Sequence, residues 1–208
     1  MTDDVASSAR RRRRTEKYLA MWGVNATIPI EVVAVPADSL TVADVATVRG
    51  RALTHCLLAL RGQGLSQLEA FAFADAYAVW DHLTFDENQF ILSEEPTGDA
   101  MLQAAWRYER LWVLLWAFGS VRHLAFTDAE IDSAKAIETC VAEVALVSPA
   151  SSEHPAGLQL RESKELLDAA DVAWCSQVVT RASTTPMLPG VVHERAAAFD
   201  ELLPGWRP

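Results

Sequence analysis

The stretch from Trp106 to Phe118 constrains the fold most, because it sets three tryptophans and the charges Arg107, Glu109 and Arg110 into about four helical turns. At 100° per residue Glu109 shares a stripe with Trp112, Val113 and Trp116. Burying that stripe takes a carboxylate inside, where it must find a partner or give up its ionisation. The run therefore predicts a central buried helix in an all-α domain. It marks Glu109 as a candidate site residue without naming a reaction.

The chain has 208 residues, half of them hydrophobic, and no long low-complexity linker. Those bounds predict a single helical domain over 1–208, with residues 1–9 disordered and 204–208 a tail. The net charge of -10 argues against a general nucleic-acid binder, which needs a basic face to neutralise phosphates. The one local basic candidate, Arg10 to Arg14, reads as a solvated helix start or a frayed segment. These arginines run into Thr15-Glu16-Lys17 and then only a short apolar patch, which is not the order of a secretory signal, so the chain reads as cytoplasmic. No apolar run approaches the ~20 residues of a membrane span. Cys56, Cys140 and Cys175 are odd in number, widely spaced and set among apolar residues, the pattern of buried reduced thiols.

Helix punctuation recurs along the chain. Ser66 to Glu69, Thr84 to Glu87 and Thr127 to Glu130 each place a hydroxyl three residues before a carboxylate, the capping-box spacing. With the breaks at Gly62 to Gly64, Glu95 to Gly98, Ser148 to Gly157 and Thr185 to Gly190, the pattern predicts helices near 10–22, 41–61, 66–82, 85–93, 99–118, 128–146, 163–181 and 191–203. Residues 28–35 have strand character, but Pro29 and Pro36 bracket them and leave at most a short extended segment. The architecture predicted is an irregular orthogonal helical bundle around the tryptophan-rich helix.

The same wheel reading places one charge on the apolar face of each of four helices: Arg49, Glu109, Asp171 and Arg195. One reading is a core network in which the guanidiniums fork onto the carboxylates and fix how helices pair. The other is a polar pocket for a small charged molecule, walled by Trp112, Trp116 and Trp174. Catalytic and metal signatures are missing: His193-Glu194 is followed by Arg195-Ala196-Ala197 where a zincin needs a second histidine, and no Glu-x-x-His pair occurs. His193 reads as a surface or capping histidine. No metal and no cofactor is expected.

A resemblance rests on several patches in order. They are Arg11-Arg12-Arg13 leading to Leu19 and Gly23-Val24-Asn25, Trp106 to Glu109 with Leu114 to Ala117, Arg161-Glu162-Ser163 with Leu166 to Asp171, and Gly190 to Arg195. In these the chain resembles the largely bacterial family called domain of unknown function 4272. The resemblance implies a mostly helical single domain and assigns no activity. The chain departs from the family pattern at Trp174-Cys175, where a Tyr-Arg pair is usual, at Ala196 to Asp200, and at Trp206-Arg207-Pro208.

Two functions follow as expectations. The first is a non-enzymatic binding or protein-interaction module. The second is a small-molecule enzyme or ligand-binding protein in which Glu109 or Asp171 serves as general acid or base and Arg49 or Arg195 holds an anionic group. The partner is accordingly a protein or a small molecule of unknown identity, with no nucleic acid and no membrane expected.

Overall fold

The computed structural model describes residues 2–24, 28, 40–145, 158–182 and 185–206, with backbone alone for 2–8. Every regular element among them is helical: α1 (Thr2–Met21), α2 (Val45–Gly62), α3 (Gln67–Ala76), a 3-10 turn (Trp80–His82), α4 (Phe85–Leu92), α5 (Gly98–Ala105), α6 (Arg107–Ala117), α7 (Ser133–Cys140) continued by a π turn (Val141–Ala145), α8 (Ser163–Ala182) and α9 (Pro189–Leu202). The all-α class predicted from the sequence is the class observed. The extended segment expected near 28–35 lies, Ile28 apart, outside the described residues. No helix among the described residues is long and apolar enough to cross a membrane.

The chain divides into two compact units. One unit is drawn from Met1–Ala43, Ala125–Glu130 and Arg161–Pro208, and so contains α1, α8 and α9. Its core gathers Leu19, Val24, Phe126, Cys175, Val179, Met187 and Val192, with Tyr18 against them. The short segment Ala125–Glu130 is held firmly in this unit. Phe126 stacks on Trp22 with ring centroids 4.6 Å apart and meets Tyr18 edge-on, and the Thr127 carbonyl accepts from the Leu188 N–H at 2.8 Å. Trp206, assigned to a tail by the sequence, is buried; it packs edge-on against Trp174 and Phe199 and donates its indole N–H to Asp200.

The other unit is drawn from Asp44–Leu124 and Ile131–Leu160. Here α2 lies at the centre, packed by α3, α4, α5, α6 and α7. The tryptophan-rich α6 is buried along almost its whole length beside it. Two glycines set how closely neighbours approach α2. A Cβ at Gly50 would come within 2.3 Å of the His82 ring, and one at Gly62 within 2.3 Å of the Ala105 amide nitrogen of α5.

Several boundaries differ from those read off the sequence: α1 begins at Thr2, so residues 2–9, expected to be disordered, form its first turns, and α2 begins at Val45 rather than 41, behind the Asp44 side chain that caps it. The helix expected over 99–118 is interrupted at Trp106, where the Glu109 N–H closes a tighter turn onto the Trp106 carbonyl, letting α5 press its backbone on Gly62 while α6 turns its own stripe inward. The helix expected over 66–82 stops at Ala76, because Ala78 takes a left-handed φ of 53° and the chain turns to bury Val79. The box expected at Thr127 to Glu130 does not start a helix. Its first bond would join the Thr127 carbonyl to the Ile131 N–H, but the former is taken by Leu188 and the latter by the Glu109 carboxylate. Asp132 caps α7 instead, accepting from the N–H groups of Ala134 and Lys135. The boxes at Ser66 and Thr84 form as predicted.

Candidate functional site

Of the four charges singled out by the sequence, Asp171 and Arg195 belong to the unit of α1, α8 and α9, and Arg49 and Glu109 to the unit built around α2. Asp171 stands on the face of α8 that α1 covers. Its Oδ1 accepts from the Arg12 guanidinium at 3.0 Å and its Oδ2 from the Thr15 hydroxyl at 2.6 Å, while the Cys175 thiol lies one turn along at 3.9 Å from the same Oδ2. The arginine on Asp171 is thus Arg12, not Arg49 or Arg195. Burial alone would depress the Arg12 pKa, but its hydrogen bond to Asp171 raises it above the ordinary value. Burial together with the Asp171 charge pushes the Cys175 thiol far up, which removes it as a nucleophile.

The arginine run is therefore not a solvated tail. Arg11 is 5% exposed and Arg12 nearly buried, each one helical turn before Thr15 or Glu16 on the side of α1 that meets α8. Arg14 extends the same lacing to Asp168 at 2.8 and 3.0 Å, in water that screens the pair. Sequence reading missed this because a run of like charges ordinarily faces solvent. The available signal was the spacing of Arg11, Thr15 and Leu19 on one stripe of α1, matched by Asp168, Asp171 and Cys175 on α8.

Arg195, 3% exposed on α9, donates to the Ala125 carbonyl and so fastens the Ala125–Glu130 segment. Trp174, on α8, is half-buried against Trp206. His193 is exposed, as its isolation in the sequence suggested.

In the unit around α2, Glu109 is fully buried, with Trp112 and Trp116 almost so. Its carboxylate accepts from the Ile131 N–H at 2.9 Å. A buried acid aimed at a backbone amide fixes a loop, here the approach to α7. Arg49 lies half-buried on α2, and its ε N–H donates to the Val144 carbonyl at 3.1 Å. That carbonyl belongs to the π turn, whose wider spacing frees backbone acceptors that a guanidinium can cap. Burial lowers the Arg49 pKa, opposed by the neighbouring Cys140.

A further pair escaped the wheel reading. Arg51 forks onto Glu87 at 2.8 and 2.9 Å and also donates to the His82 carbonyl, and Glu87 at the same time closes the capping box on Thr84. Burial would raise the Glu87 pKa, but the Arg51 hydrogen bonds and charge, with the Thr84 N–H, hold it at about 2. Arg61, also buried, donates to the carbonyls of Leu65 and Ser93, tying the end of α2 to the start of α3 and the end of α4. Among the described residues no group of three or more His, Cys, Asp or Glu could hold a metal ion.

Each of these buried polar groups holds one helix or loop to another: α1 to α8, α9 to the Ala125 segment, α6 to the start of α7, α2 to the π turn. No curated protein and no solved structure matches the chain. The family model described as "Domain of unknown function (DUF4272)" matches residues 11–203, from the buried Arg11 to the end of α9, and the chain belongs to that family.

Proposed function

We propose that this chain is a protein-interaction module that works through its surface. One observation carries the reading. Between Gly62 and Trp106 the chain has eight acidic residues and no Lys or Arg, and it exposes Leu68, Phe85, Leu92 and Leu102 among them. Large apolar side chains standing in water beside a field of one sign are the composition of a recognition surface rather than of a solvated wall. The buried charges support the same reading, since Asp171 already holds Arg12 and Thr15 and its neighbouring thiol is far from ionising.

The test is photo-cross-linking in native lysate from a reactive residue placed at Leu68, with Glu138 as the control position. A discrete protein adduct formed from position 68 and not from 138 is the expected result. Adducts at neither position, together with a small molecule that co-purifies and is converted, would replace this reading by the enzymatic one.

A further inference from the structure

Four contacts draw the exposed leucines to one end of the unit built around α2. Arg61 donates to the Leu65 and Ser93 carbonyls, the latter at 2.9 Å. The Gln67 side-chain amide donates to the Leu92 carbonyl at 2.7 Å. Gly62 lies against the Met101 carbonyl and the Ala105 amide. The last turn of α2 thus gathers the start of α3, the end of α4 and α5. Leu68 is 78% exposed, Leu102 59% and Leu92 47%, each within three residues of an atom in this set.

The exposed charges on the segments gathered here are acidic. Glu69, Glu94, Glu95 and Asp99, each within three residues of one of these leucines, are exposed. The one basic group the contacts bring here, Arg61, is 5% exposed and turned onto backbone carbonyls. Over Gly62 to Trp106 seven of the eight acids are exposed, the eighth being Glu87 on Arg51. That segment accounts for most of the net charge of -10, and the rest of the chain is nearly balanced.

We infer that this end docks a cationic amphipathic helix of another protein, with leucine-like side chains meeting Leu68, Leu92 and Leu102 and flanking Lys or Arg meeting Glu69, Glu94, Glu95 and Asp99. The inference rests on the interaction reading above and adds the chemistry of the partner. Apolar anchors supply the contact area, and the acids select the sign of the partner and speed its arrival. A second copy of the chain is disfavoured as occupant, since each copy carries the same excess of negative charge and repels its like.

The probe is a labelled synthetic helix of leucine and lysine at amphipathic spacing, with a leucine–glutamate helix of equal length as counterpart, followed by fluorescence anisotropy at low and physiological salt. The cationic helix should bind and the acidic one should not. Binding should weaken on the order of tenfold, ~1.4 kcal/mol, in the combined variant Leu68→Ser, Leu92→Ser, Leu102→Ser, and equally in Glu94→Lys, Glu95→Lys. The matched charge change Glu138→Lys, Glu143→Lys on α7 and its π turn should leave it unaltered. Both surface variants should melt with the wild type, and should one fail to fold, the other decides alone.

Equal weakening by the α7 variant would show diffuse charge attraction and overturn the inference. So would undiminished binding by the leucine variant, or no binding at all. Sedimentation showing a dimer that the leucine variant dissolves would hand the surface to a second copy and overturn it too. A failed peptide with a surviving cross-link from position 68 overturns the cationic-helix chemistry alone. Failure of both removes the interaction reading as well.

Discussion

Removing the Asp171 carboxylate would strand the Arg12 guanidinium and the Thr15 hydroxyl together, both on the buried side of α1. Asp171→Ala is expected to cost on the order of 3–5 kcal/mol, whereas Asp171→Leu combined with Arg12→Met, which replaces both charges by apolar volume, should recover much of that loss in urea denaturation. Glu87 gives a pH signature. Its pKa is lowered from 4.5 to about 2 in the folded protein, so its contribution is full above 4.5 and is lost as pH falls toward 2. The full contribution is about 3 kcal/mol. Glu87→Gln should therefore melt well below wild type at neutral pH and close to it near pH 2. The burial of Glu109, Asp171 and Arg195 could be read from single helices, because a wheel shows which face a charge shares. The partners could not. Arg12 sits in a run that looks solvated, whereas Arg49 and Arg195 donate to backbone carbonyls and Glu109 accepts from a backbone N–H, atoms that carry no residue-type signal at all.

Helix starts were legible where a side chain dictates them, as at Ser66 and Thr84, and helix ends were not where backbone conformation dictates them. Ala78 is the clear case: it takes the left-handed turn for which a glycine or asparagine would have been the signal, so α3 looked longer than it is. Thr127 to Glu130 has the right letters for a cap, but tertiary acceptors and donors take the atoms its first helical bond needs. Packing of α2 on α5 predicts a sharp difference between two glycines. Gly62→Ala drives a Cβ to 2.3 Å from the Ala105 nitrogen and 2.7 Å from the Met101 oxygen, backbone atoms that cannot rotate away. Overpacking there should cost on the order of 1–3 kcal/mol, against which ~1 kcal/mol of helix propensity is the smaller term. Gly98→Ala, at the start of α5 with nothing within 4 Å of the new Cβ, should be neutral or slightly stabilising. Thermal melts of the two variants separate these outcomes.

At the scale of the molecule, the chain passes from one unit to the other at 43–44, 124–125, 130–131 and 160–161, so neither unit is a continuous stretch of sequence. Interleaved segments favour joint unfolding. Cys56 and Cys140 report on the unit around α2, Cys175 on the other, and all three are buried. In a denaturant series the three thiols are expected to become reactive toward an aromatic disulfide in a single transition; Cys175 reacting at a separate denaturant concentration would show that the units unfold independently. The same threading has a consequence for synthesis. The stripe of α1 that carries Arg11, Thr15 and Leu19 is made well before α8, which covers it and starts only at Ser163. At ribosomal speeds that interval is on the order of ten seconds. Throughout it, the nascent chain displays an arginine-rich, half-apolar helix with no cover from its own unit, a window in which chaperone capture or misassembly competes with folding.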